Sequence, residues 1–120
     1  MSLKKGSDYT HDPKTHLGFL AEAHGTIAEM RAMLPVAGVP IDTGPMADIA
    51  DTARQLALRA DEVGFVQISA AADAVEMTAG IAQTRKPIDR PTFALKIREQ
   101  LKALEDRIRD DLAEVEPHIS

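Results

Sequence analysis

The chain contains no cysteine and no tryptophan, one tyrosine (Tyr9) and three phenylalanines (Phe19, Phe65 and Phe93). Without cysteine there is no disulfide framework, no thiolate metal site and no thiol nucleophile. Hydrophobic residues still make up 44% of the sequence. The core must therefore be built from Ala, Leu, Ile, Val and Met, a mix that favours helices over strands. Alternating apolar runs bounded by turn residues, the mark of strands, are also missing. No apolar run approaches the roughly 20 residues of a membrane span, and Met1-Ser2-Leu3-Lys4-Lys5 leads into no apolar signal segment, so a cytoplasmic protein is expected.

Positive charge is in deficit, with 14 Lys and Arg against 19 Asp and Glu and a net charge of −5. A nucleic-acid or anionic-membrane surface needs a basic stripe, so neither partner is expected, and the acidic balance serves solubility. No Gly-rich segment follows a strand, which removes the common nucleotide loops. No His-x-x-x-His or Glu-x-x-His pair offers a metal or di-iron site. The few serines lack the context of an activated nucleophile. No cofactor, no metal and no enzymatic activity are expected.

What the sequence does contain is helical periodicity. At 120 residues the chain is expected to form one domain, with a polar arm over 1–12 and a bundle over 13–117. Asp12-Pro13 suits a helix start, and His16, Leu20, Ala23, Ile27, Met30 and Leu34 then recur at spacings of three and four, predicting a first helix over 13–34. Three prolines and two glycines between Pro35 and Pro45 break that pattern. Apolar residues at 49, 53, 56, 60 and 63 predict a second helix over 45–62, with Asp48 and Asp51 near its N-terminal dipole. Gly64 separates this stripe from another at 65, 68, 72, 75 and 79, a third helix over 65–85 that Lys86-Pro87 stops. The stripe Phe93, Ile97, Leu101, Leu104, Ile108, Leu112 and Val115 predicts a last helix over 91–116, with mixed charges such as Glu105 and Arg109 paired on its solvated face. The reading is an all-α, antiparallel four-helix bundle.

The segment from Ala53 to Glu76 also resembles the core of histidine-containing phosphotransfer (HPt) domains. In that family an Ala-His-x-x-Lys-Gly motif runs on to a turn glycine, an apolar residue and a closing Leu-Glu. Gly64 falls on the turn glycine, Phe65 on the apolar residue after it, Val75-Glu76 on the closing pair, and Ala53 on the alanine before the phosphorylated histidine. Arg54 then stands at the phosphoacceptor position, Ala57 at the lysine and Leu58 at the glycine. The resemblance implies an HPt-like bundle of bacterial two-component phosphorelays, with a response-regulator receiver or histidine kinase domain as partner. An arginine stays protonated and is a poor nucleophile, so this position cannot accept phosphate.

Two readings of Arg54 stand side by side: a solvated arginine flanking a helix stripe, or a fixed cation on a docking face. Leu58 lies off the stripe formed by 53, 56, 60 and 63 and is expected to be partly exposed. Arg54, Ala57, Leu58 and Asp61, with Ala50 nearby, form the expected partner-binding patch. Among the four histidines, His11 and His118 lie near the termini and His16 sits within the first apolar stripe. His24 is the mid-helix candidate for an exposed imidazole and the alternative phosphoacceptor. An active phosphotransfer protein using His24, or a helical interaction or oligomerisation domain unrelated to phosphorelays, are the rival readings.

Overall fold

Gly64 has φ 99°, a backbone conformation that costs a residue with a Cβ roughly 1 kcal/mol or more and glycine almost nothing. Its amide donates to the carbonyls of Ala60 (2.9 Å) and Asp61 (3.2 Å), and the Phe65 amide reaches back to Ala60 (2.8 Å). These bonds close a helix C-terminus in a Schellman motif and reverse the chain within two residues. The helices on either side, Thr43–Val63 (α2) and Val66–Gln83 (α3), form the hairpin that the sequence places here.

The computed structural model describes residues 13–34, 43–86 and 89–115. Its other two helices are Pro13–Met33 (α1) and Arg90–Val115 (α4). Observed ends lie within two residues of the expected ones. The proposed arm over 1–12, the connection over 35–42 and the end of the chain after 115 lie outside the described residues. Pro45 falls inside the first turn of α2, where its missing amide hydrogen deprives no carbonyl of a partner.

Each helix packs on its neighbour in the chain and α1 closes on α4, while the backbones of the diagonal pairs α1–α3 and α2–α4 stay farther apart among the described residues. The directions alternate: Glu22 of α1 meets Arg59 near the end of α2, and Gln67 at the start of α3 meets Arg107 late in α4. The result is an antiparallel four-helix bundle. Its core takes up the predicted stripes, with Leu20, Ile27, Met30, Ile49, Ile68, Val75, Ile97, Leu101 and Leu104 almost fully buried. Phe65 is half-buried, packing edge-on to His16 (centroids 4.8 Å) and stacking on Phe19 (5.4 Å), so the hairpin turn is tied to the start of α1.

The most extensive contact is that of α2 with α3. Ala53, Ala57 and Ala60 on one side and Ala72, Ala79 and Ala82 on the other are all buried. Side chains this small let two helix backbones come close. At the α3–α4 connection, Arg90 is 9% exposed and its Nε donates to the Ala82 carbonyl at 3.3 Å. That carbonyl also accepts the Arg85 amide at 3.2 Å, so Arg90 adds a second donor to it and anchors the start of α4 on the end of α3.

Candidate functional site

Helix α2 has three sides. Met46, Ile49, Ala53, Leu56, Ala57, Ala60 and Val63 form the buried one. Arg59 marks the flank that meets α1, through Glu22 at 3.3 Å. The remaining face carries Arg54, Leu58 and Asp61, at helical spacings of four and three. All three are exposed, Leu58 to 59%. Among the described residues Arg54 takes part in no ion pair, so its charge is available to a partner.

Ala57 does not belong to that face. It is 5% exposed and forms part of the core, one turn from Ala53 and Ala60 on the side packed against α3. Ala50 is half-buried against the same core. The sequence pattern suggested a seam through 53, 56, 60 and 63, whereas α2 buries a wider stripe that includes 57. The exposed patch is accordingly narrower than expected and rests on Arg54, Leu58 and Asp61. A lysine, which the HPt motif carries at this place, would point its ammonium into the α2–α3 contact.

A second group of chemically competent side chains lies on the opposite side of α1. The side chain of His24 is 65% exposed, with Nε2 3.9 Å from Oε2 of Glu105 on α4. Both oxygens of Glu105 accept from Arg31, at 3.1 and 3.2 Å. That bidentate guanidinium holds the Glu105 carboxyl below its ordinary range, against a smaller opposing effect of burial. The sequence pattern anticipated a Glu105–Arg109 pair along α4. Glu105 instead turns across the bundle to Arg31, and Arg109 pairs with Asp106 at 3.2 Å.

Below this cluster, α1 and α4 separate to leave a cleft of about 470 Å³ lined by Leu17, Leu20, Ala21, Ile108 and Leu112, with His24, Glu105 and Arg109 at its polar side. No sequence signal pointed to it. Arg31 and Glu105 are 74 residues apart, and neither spacing nor residue type links them before the bundle closes.

His16 is half-buried against the Phe65 ring, as its place in the stripe suggested. His11 and His118 lie outside the described residues. Among the described residues no group of three His, Asp or Glu side chains could hold a metal ion, and no helix is long and apolar enough to cross a membrane. Compared with protein-family models, with curated proteins and with solved structures, the chain matches none.

Proposed function

We propose that this chain is an HPt-like binding module of bacterial two-component signalling, acting in the cytoplasm. It would hold a response-regulator receiver or histidine kinase domain through the exposed face of α2 and the adjoining α3, without itself carrying phosphate. The observation that supports this reading is the joint exposure of Arg54, Leu58 and Asp61 on a rigid helix beside the Gly64 turn. In the aligned motif, Arg54 takes the position from which the family's histidine meets the receiver. Its cation suits the acidic pocket of a receiver, and the half-exposed Leu58 adds apolar contact next to it. Neither α2 nor α3 contains a histidine, so a module docking through this face would compete with a phosphotransfer protein and pass nothing on.

Titration of the purified chain against isolated receiver and kinase domains tests the reading. Arg54→Glu is expected to weaken binding by roughly tenfold at low salt and less at high salt, because exposed charges are screened over about 10 Å at 0.1 M. Leu58→Asp is expected to weaken it with a smaller salt dependence. If no such domain binds, or if both variants bind as the parent does, the proposal fails and a helical interaction domain outside phosphorelays takes its place.

The environment of His24 supports a second reading, an active phosphotransfer protein. The imidazole is open to solvent, and a carboxylate that Arg31 holds in place lies 3.9 Å from its Nε2. An exposed imidazole is what a phosphoryl acceptor requires. Acid-labile phosphate on the parent chain but not on His24→Gln, after incubation with a phosphorylated kinase or receiver, would select this reading over the first.

A further inference from the structure

The α1–α4 cleft combines an apolar wall with convergent polar groups. Its volume of about 470 Å³ falls within the roughly 300–1,000 Å³ of small-molecule sites. Leu17, Ala21 and Leu112 supply the accessible part of the wall, over the buried Leu20 and Ile108 at its floor, and the small Ala21 leaves the entrance unobstructed. From Leu17 to His24 the wall is about 10 Å long at 1.5 Å per residue, the length of an extended alkyl chain of roughly eight carbons.

The polar side is dominated by donors. Glu105 is its lining carboxylate, and both of its oxygens already accept from Arg31, so its charge is compensated and about half of its acceptor sites are used. Arg109 shares one nitrogen with Asp106, in a pair whose side chains are 69% and 47% exposed. A guanidinium has five N–H donors, so most of them remain for a ligand. His24 adds an imidazole open to solvent. An acceptor-only head group on an apolar body is complementary to this arrangement, whereas an ammonium head would meet the guanidinium of Arg109.

We propose that the cleft binds an aliphatic carboxylate, its chain lying along Leu17, Ala21 and Leu112 and its carboxylate held by Arg109 and His24. This site is separate from the docking face, since its lining residues all belong to α1 and α4 and none to α2. The proposal therefore stands whether or not a receiver binds.

The test is a titration of the full chain with octanoate, octan-1-ol and octylamine, followed through the methyl NMR signals of Leu17, Leu20, Ile108 and Leu112. Octanoate is expected to bind saturably with a Kd between about 10 µM and 1 mM, as suits a ligand of this size. It should bind several-fold more tightly than the alcohol or the amine. Ala21→Trp, at an exposed position, is expected to fill the entrance and weaken octanoate at least about tenfold while leaving the thermal midpoint unchanged. Arg109→Gln is expected to abolish the preference for octanoate over octan-1-ol. The proposal is overturned if octanoate gives no saturable shift, if it shifts core methyls throughout the bundle as a detergent would, if Ala21→Trp binds it equally well, or if the alcohol or the amine binds the parent as tightly.

Discussion

Arg31 on α1 and Glu105 on α4 form a two-pronged ion pair, 3.1 and 3.2 Å long, that joins the first and last helices of the bundle. With side chains 38% and 22% exposed, it is neither a surface pair lost to screening nor a fully desolvated one. Bidentate geometry places it toward the stronger end of such interactions.

The pair makes the fold sensitive to acid. The carboxyl of Glu105 is lowered from its ordinary value of 4.5, chiefly by the hydrogen bonds from Arg31. A carboxyl with a lowered folded-state pKa contributes stability that is fully present above the unfolded value and fades as the pH falls through the folded one. Urea unfolding of the parent should therefore show a loss beginning just below pH 4.5 that is absent from Glu105→Gln. At pH 7, Glu105→Gln should cost about 1 kcal/mol. Identical acid limbs in the two proteins would show that the pair is not formed in solution.

Asp111 behaves in the opposite sense. Burial pushes its carboxyl up, and the attraction and hydrogen bond of Arg107, 3.0 Å away, do not fully offset this. A raised folded-state value means that the ionised form is disfavoured on folding, so the group opposes stability above that value and ceases to do so as the pH falls through it. Asp111→Asn keeps an acceptor for Arg107, which also donates to Gln67. The substitution is expected to be neutral or slightly stabilising at pH 7, with the advantage shrinking as the pH falls through the raised value. A loss of more than about 1 kcal/mol at pH 7 would mean that the ion pair outweighs the burial.

Two glycines separate backbone need from helix propensity. Gly64 sits at φ 99° in the hairpin turn, and Gly64→Ala should cost about 1 kcal/mol or more because the left-handed region is unfavourable for a residue with a Cβ. Gly25 lies inside α1, where an added Cβ meets nothing within 4 Å. Gly25→Ala should stabilise the protein by roughly 0.5–1 kcal/mol. Opposite signs in denaturant unfolding are the expected result, and a destabilised Gly25→Ala would place an unseen neighbour against that face of α1.

The four helices were legible because each repeats its apolar residues every three or four positions and because Pro35, Pro45, Pro87 and Gly64 divide the pattern. Stripe width was harder to see. Ala57 looks like a boundary residue by spacing, and its burial depends on how close α2 and α3 come, a consequence of the alanines on both helices. The partners of Glu105 were hidden for a different reason. Local spacing pointed to Arg109, but a bidentate contact across the bundle to Arg31 takes both carboxylate oxygens. The buried Arg90 was equally invisible, since its acceptor is a main-chain carbonyl near the end of α3, and no residue type marks it. The α2 face followed from spacing alone, whereas the cleft beside His24 required tertiary structure.

Restoring the phosphotransfer motif on α2 runs against the fold at one position. Changing Arg54→His, Ala57→Lys and Leu58→Gly together would reproduce the family's residues, but the second substitution conflicts with the fold. Position 57 is 5% exposed, and a lysine there must either surrender its charge or force α2 away from α3. Ala57→Lys alone should accordingly cost several kcal/mol and lower the thermal midpoint markedly. Arg54→His with Leu58→Gly changes only exposed positions and should fold, losing about 1 kcal/mol through the helix-interior glycine. If α2 docks a receiver as proposed, the double variant should acquire acid-labile phosphate from a phosphorylated receiver that also binds the parent. A His24→Gln background ensures that any label reports the imidazole introduced on α2 rather than the one on α1. A well-folded double variant that binds such a receiver yet takes no phosphate would show that the helix presents position 54 in a different geometry from the family. A stable Ala57→Lys would show instead that the α2–α3 contact is looser than the buried alanines indicate.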